Sequence, residues 1–241
     1  MKFAIKTLSA ALLAGAALTA LPANAQVAGI ATLDTTDAIM QTKAFAQAYQ
    51  QIGTTFTSNS QMIQTKRKEI NDINAQLDTN KDKNLTQEEL DAAIKAKNPL
   101  LTQLEAKERE IAQLQQPIVT AQAFAVESIA DRYAAAQQQV ITQKKINMIL
   151  APDAFIWAPE AVDVTKAVTA ALDLAVPSVG ITPPANWQPK QSTGGLYEQI
   201  QQRLLTAARV QAIRNAQAQQ ATQPAANPAA PAPQQPQPES R

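Results

Sequence analysis

The 241-residue chain contains no cysteine and no histidine, and only 4% of its residues are aromatic. Without these two residue types the chain can form no disulfide, no thiol nucleophile, no Ser-His-Asp triad and no zinc site built from cysteine and histidine. Only six glycines are present, and neither a dinucleotide-binding G-x-G-x-x-G sequence nor a P-loop occurs. The sequence therefore predicts that the protein is not an enzyme.

The charges are close to balance, with 21 lysines and arginines against 20 acidic residues. A nearly neutral chain lacks the positive field that attracts nucleic acids, so no nucleic-acid partner is expected. The apolar fraction of 45% is to a large extent alanine, which favours helices but buries little area. This composition predicts long helices and a modest core.

The N-terminus has the three parts of a secretory signal peptide. Lys2 and Lys6 give a positive region, residues 8–21 are an uncharged apolar run, and residues 23–25 are an A-x-A cleavage site. The run is shorter than the ~20 apolar residues that span a membrane, and no later segment is apolar enough to do so. We therefore predict that residues 1–25 are a signal peptide cleaved after Ala25, and that the exported chain has no transmembrane segment.

The middle of the chain has helical periodicity. Between residues 37 and 77 apolar residues recur every seven positions, and from residue 90 to about 143 they recur at spacings of three and four. Pro99 and Pro117 are expected to punctuate or kink the second stripe. Two helical stripes joined by a short loop pair most simply with each other. We predict a coiled-coil-like antiparallel hairpin over residues 37–143 that projects ~60 Å, with a globular four-helix bundle as the alternative.

Short strand-like runs flank this hairpin on both sides. Residues 29–34, 146–150 and 154–157 are apolar and partly β-branched, and a turn separates the last two. Asp163 is expected to cap a short amphipathic helix after them. The predicted fold class is α+β and predominantly helical, with a small three-stranded body that carries the helical hairpin.

The C-terminal part of the chain is predicted to be an extension of this body. Residues 176–195 are rich in proline, glycine and serine and read as a linker. Residues 196–220 are a helix candidate with a partial apolar face and three arginines. Residues 221–241 consist of Ala/Pro/Gln repeats and are expected to be disordered.

In this order and spacing, the features resemble the OmpH/Skp family of periplasmic chaperones for outer-membrane proteins. The resemblance covers a domain of about residues 26–175 and rests on the strand at residues 30–34, the long helices, and residues 116–118 and 162–165. It implies a jellyfish-like homotrimer in the periplasm, in which three small bodies associate and three helical hairpins enclose a cavity. Unfolded outer-membrane proteins are held there and protected from aggregation, with neither nucleotide nor catalysis.

Residues 78–89 match the calcium-binding loop of an EF-hand. Asp78, Asn80 and Asp82 occupy positions 1, 3 and 5 of the loop. Asn84 would offer its backbone carbonyl at position 7, and Glu89 is the bidentate ligand of position 12. Oxygen ligands at this spacing suit a hard cation, so a Ca²⁺ site is predicted at these five residues.

The same segment also reads as a polar turn without an ion. Lys83 occupies position 6, where the loop favours glycine because its φ is positive. Thr86 and Glu89 have the spacing of a capping box for the following helix. The sequence leaves two interpretations open, namely weak calcium binding, with a Kd on the order of 10⁻⁴–10⁻³ M, and a capped turn. A calcium-binding EF-hand-like periplasmic protein and a structural envelope protein are accordingly the alternatives to the chaperone.

Overall fold

A computed structural model describes residues 29–222, with side chains described as far as residue 219. The predicted signal peptide and most of the predicted tail, residues 223–241, lie outside this part of the chain. Within it the protein is predominantly helical, as the sequence predicts. The elements are β1 (Ile30–Thr32), α1 (Thr35–Met40), α2 (Lys43–Thr55), α3 (Thr57–Leu77), α4 (Gln87–Lys95), α5 (Pro99–Lys144), β2 (Met148–Leu150), α6 (Thr165–Ala175) and α7 (Gln191–Thr222).

The two strands form a parallel sheet in which Ile30 lies opposite Met148. Parallel strands require a long crossover connection, and the helices from α1 to α5 are that connection. Gly29 leads into β1 with a φ of 83°, and its carbonyl accepts hydrogen bonds from the backbone N–H groups of Asn147 and Met148 at 2.7 and 2.8 Å. A Cβ at Gly29 would lie 2.3 Å from the Asn147 side chain, so this junction requires glycine.

The third strand predicted over residues 154–157 does not form, and the prediction of a three-stranded body is wrong on this point. The chain makes a 3-10 turn at Pro152–Ala154 instead. Pro152 is the first residue of this turn, where its fixed φ suits a helical conformation, so the chain after β2 forms a 3-10 turn instead of a hairpin. Asp163 adds only an isolated parallel bridge to Thr32.

The main core lies where α1, α5, α6 and α7 meet. Each of these helices contributes at least one fully buried side chain to it. These side chains include Ile39, Val126, Ile129, Leu172 and Ile200. At roughly 1.5–3 kcal/mol for each fully buried aliphatic side chain, this cluster supplies much of the stability of the body.

The predicted hairpin exists, but its first arm is not one helix from residue 37 to residue 77. Thr42 caps α2, and the chain bends again at Phe56 before α3 begins. Because Phe45 and Ile52 bury one face of α2 against the body, only α3 projects with α5. The 21 residues of α3 span ~32 Å at 1.5 Å per residue, which is about half of the reach that the sequence predicts.

The two prolines of the returning arm behave differently from each other. Pro99 is the first residue of α5, where its fixed φ suits a helix start, and the Asn98 side chain caps the same turn by accepting from the Leu100 N–H at 3.0 Å. Pro117 lies inside the helix, which continues through it to Lys144. Beside it, the Asn59 amide donates to the Leu114 carbonyl at 3.1 Å, which ties α3 to α5 near this interruption.

The segment predicted as a linker, residues 176–195, instead packs on the body. Val176 and Ile181 are buried, and Trp187 stands edge-on to Phe124 with ring centroids 5.4 Å apart. The last helix begins at residue 191, five residues before the predicted start. Proline-rich backbone is compatible with such packing where apolar side chains recur along it, so α7 is joined to the body by contacts and not by a flexible tether.

Candidate functional site

The loop between α3 and α4 adopts the backbone conformation that an EF-hand requires at position 6. Lys83 has a φ of 69°, and Lys81 is also left-handed, with a φ of 61°. The Asp78 carboxylate accepts from the backbone N–H groups of both lysines at 2.7 Å. The side chains of Asn80 and Asp82 each accept from the N–H two residues further on, at 2.8 Å. These local hydrogen bonds offset the strain of the left-handed lysines.

Glu89, at position 12 of the loop, faces the loop backbone. One carboxylate oxygen accepts from the N–H and hydroxyl of Thr79 and from the Asn80 N–H at 2.8–3.1 Å. The other accepts from the N–H and hydroxyl of Thr86 at 3.1 Å, and a complete capping box forms at α4. The backbone hydrogen bonds from Thr86 and Asn80 lower the pKa of Glu89 to about 2. The capping box that the sequence predicts at Thr86 and Glu89 is therefore present.

The predicted calcium ligands offer oxygen atoms, which suit calcium, but the donors of the loop are arranged around the negatively charged carboxylate of Glu89. Within residues 29–222, no three acidic side chains lie close enough together to hold a metal ion. The Glu89 carboxylate already has five donors from the loop. Calcium would have to replace some of these donors before Glu89 became a bidentate ligand.

Midway along the arm, two lysines and two glutamates form a ring of charges between α3 and α5. Lys66 lies 2.6 Å from Glu110 and 3.6 Å from Glu69, while Lys107 lies 2.8 Å from Glu69 and 3.8 Å from Glu110. The contact with Glu110 raises the pKa of Lys66, and the lysines lower the pKa of both glutamates. Surface pairs add little stability individually, so the ring mainly fixes the register of the two helices.

A buried glutamate of α5 anchors the C-terminal segment. Glu127 accepts from the Trp187 indole N–H at 3.1 Å, the Lys190 backbone N–H at 2.8 Å and the Thr193 hydroxyl at 2.6 Å. Burial by itself raises the pKa of Glu127, but these hydrogen bonds outweigh it and the pKa is lowered overall. The carboxylate therefore stays charged and holds the start of α7 against α5.

A second anchor joins α7 to the start of α1. The guanidinium of Arg203 lies 2.7 Å from Asp34 and also contacts Asp37. Asp34 additionally caps α1 by accepting from the Asp37 N–H at 2.9 Å. The Thr36 hydroxyl donates to Gln199 at 2.9 Å alongside this pair. Charge-assisted contacts thus position α7 at the end of the body where β1 leads into α1.

Large apolar side chains are exposed around the sheet. Met148 on β2 is 53% exposed, Trp157 is 79% exposed and Ile156 is fully exposed. Since β1 is the only strand partner of β2 in the described part, the other edge of β2 is open. Exposed apolar side chains and an open strand edge are each typical of a surface that another chain covers. Separately, no helix within residues 29–222 is both long and apolar enough to cross a membrane.

Comparisons with known proteins place this architecture in a family. No curated protein matches the sequence. The chain is similar to a crystal structure of a proposed outer membrane chaperone (OmpH-like) from Caulobacter crescentus, with 20% identity, a TM-score of 0.43, and coverage of 64% of this chain and 89% of that one. The family model described as outer membrane protein (OmpH-like) matches residues 29–172, so that α7 lies outside it. Because this match spans more than half of the chain, the protein belongs to the OmpH-like family, as the sequence features predict.

Proposed function

We propose that this protein is a periplasmic chaperone that binds unfolded outer-membrane proteins and prevents their aggregation before membrane insertion. The observation that carries the proposal is a projecting arm in which α3, ~32 Å long, pairs with α5 in a member of the OmpH-like family. The predicted signal peptide supports export, and N-terminal sequencing of the mature protein tests it by finding Gln26 at the start.

The arm has the surface that a client of variable sequence requires. An unfolded β-barrel exposes apolar side chains and unpaired strand edges, and both lead to aggregation. Met62 on α3, and Ile94 on α4 at the tip of the arm, are exposed apolar side chains among polar ones. Many weak contacts on such a surface retain a client and still release it without a nucleotide.

We propose in addition that the protein is a homotrimer whose bodies associate through the sheet region, so that three arms surround one client. Met148 supports this proposal because it is an exposed apolar residue on the strand with the open edge. Ile156 and Trp157 support it because they are exposed apolar residues of the sheet region that line a cleft together with Thr32 of β1. Burying them between copies removes apolar area from water at about 25 cal/mol per Å².

An aggregation assay on residues 26–241 tests both proposals. An unfolded outer-membrane barrel is diluted from urea, and light scattering is followed with and without the protein. We expect suppression by the unmodified protein and its loss in the double variant Ile156→Asp and Trp157→Asp, which should also become monomeric. Leu174→Asp is the matched control, because Leu174 is 82% exposed on α6. Aggregation that proceeds unchanged with excess unmodified protein contradicts the chaperone and favours a structural envelope role.

Calcium binding at the loop of residues 78–89 is a second candidate function. It is favoured by the left-handed Lys83 at position 6 together with the side-chain oxygens of Asp78, Asn80 and Asp82 at the ligand spacing. Isothermal titration with CaCl₂ tests it directly. A saturable heat that is lost in Asp78→Asn supports calcium binding, and no saturable heat at millimolar calcium leaves the loop as a capped turn.

A further inference from the structure

A groove of about 400 Å³ lies at the root of the arm, where α3, α5 and α7 meet. Its lining includes the apolar side chains of Ile63 and Ile118 and the ring of Tyr197. Tyr197 and Gln201 form the wall contributed by α7, which lies outside the part of the chain that matches the OmpH-like family. The groove is therefore a feature of this chain's C-terminal extension and not of the family domain alone.

Glutamine side chains line the groove from all three helices. The side-chain amides of Gln64 and Gln115 make no hydrogen bond within the described part of the protein, and those of Gln122 and Gln201 each bind one tyrosine hydroxyl through one end of the amide. A primary amide has both donors and acceptors. The groove thus offers amide groups that match the N–H and C=O groups of an extended peptide backbone.

The charge in the lining of the groove is positive. Arg67 is the charged residue of its lining, and no acidic partner is found for it among residues 29–219, whereas its neighbour Lys66 belongs to the ring of four charges. Val119, which is 42% exposed, is the exposed apolar residue of the lining. An occupant that carries an acidic side chain would neutralise Arg67, and an apolar side chain would cover Val119.

We propose that this groove binds an extended segment of the unfolded client in which apolar and polar side chains alternate. In a strand, successive side chains point to opposite faces. One row then packs on Val119 and Tyr197, the glutamine amides bond the backbone, and an acidic side chain pairs with Arg67. Alternation of this kind is the sequence pattern of transmembrane barrel strands. The inference rests on the proposed chaperone function and assigns a binding role to α7.

The absence of cysteine from the chain makes a site-specific test simple. A photoreactive maleimide is attached to Gln115→Cys, which lies in the groove. The same reagent at Gln113→Cys is the matched control, because Gln113 is exposed on the same helix two residues away and does not line the groove. With a urea-diluted outer-membrane barrel as the probe, we expect several-fold more crosslinked client at position 115. Equal yields at the two positions overturn the proposal.

Binding measurements separate this proposal from the chaperone function on which it rests. We expect the double variant Arg67→Gln and Val119→Asp to weaken client binding about tenfold, a change worth about 1.4 kcal/mol, while Leu174→Asp binds as the unmodified protein does. Both groove residues are exposed, so the fold should be retained, and circular dichroism checks this. If the unmodified protein protects the client and the double variant binds equally well, the groove is not the site and the chaperone function stands. If the unmodified protein does not protect the client, both proposals fail.

Discussion

At the scale of single residues, charged side chains that keep their charge hold the C-terminal extension in place. Glu127 is buried and has three hydrogen-bond donors, two of them from backbone and side-chain groups near the start of α7. Arg203 makes a second contact of this kind further along α7, with Asp34 and Asp37 at the start of α1. Burying a charge costs stability unless it is paired, and here every partner comes from a segment distant in sequence.

Replacing Glu127 by alanine should lower the free energy of unfolding by about 2–3 kcal/mol, because three donors lose a charged acceptor in a buried place. The pKa of Glu127 is lower in the folded protein, so its contribution is complete above the unfolded pKa of ~4.3 and decreases as the pH falls towards the folded value. Urea unfolding at pH 7 and pH 3 measures both effects. A variant as stable as the unmodified protein at pH 7 would contradict the anchoring role.

Glu89 should control the stability of the arm tip in the same direction. Its pKa is lowered from 4.5 to about 2, so the stabilisation of the loop is present above pH 4.5 and is lost as the pH falls through about 2. In Glu89→Gln we expect faster amide hydrogen exchange at Thr79, Asn80 and Thr86 at neutral pH. Exchange rates unchanged by the substitution would show that the carboxylate does not hold these amides.

At the scale of elements, residue type and apolar spacing predicted those helices and strands that depend mainly on contacts between residues close in sequence. The strands around residues 30 and 148 and the helix after Asp163 follow from β-branched residues and helical spacing, and all three are present. The strand over residues 154–157 failed because a proline turn and not a hairpin follows β2. The bend at Thr42 was not predicted, because it accompanies the packing of α2 on the body. The spacing of apolar residues along the sequence gives no information about such a tertiary contact.

The start of β1 provides a test with an internal control. Gly29→Ala should destabilise the protein by about 1–3 kcal/mol, since alanine at a φ of 83° is strained and its Cβ would meet Asn147. Gly53→Ala, inside α2 and with no neighbour within 4 Å of the added Cβ, should instead stabilise by about 0.5–1 kcal/mol. Thermal unfolding of both variants measures the difference. Equal melting temperatures would contradict the left-handed conformation of Gly29 and its close packing against Asn147.

At the scale of the whole molecule, the family domain and its extension form one packed body. The contacts between them join residues far apart in sequence, for example Glu127 with Trp187 and Tyr49 with Gln201. No local signal in the sequence marks such pairs, which is why residues 176–195 were predicted to be a linker and the groove at the root of the arm was not predicted. The capping box of Thr86 and Glu89 follows from local spacing, whereas the hydrogen bonds that Glu89 accepts from Thr79 and Asn80 depend on the folded loop.

Truncation should reveal which part of α7 belongs to the body. Ile200 is fully buried, whereas the described side chains from residue 205 to residue 219 are all exposed. We expect a chain of residues 26–206 to unfold at the same temperature as residues 26–241, and a chain of residues 26–190 to unfold several degrees lower because it lacks Ile200 and Arg203. Differential scanning calorimetry distinguishes these outcomes, and equal stability of all three chains would show that α7 does not support the body.

We propose that the protein encloses an unfolded outer-membrane protein as a trimer. The most direct measurement is size-exclusion chromatography with multi-angle light scattering on residues 26–241 mixed with a urea-diluted barrel protein. We expect a soluble complex with the mass of three chains and one client. A monomeric protein that elutes alone while the client precipitates would contradict it.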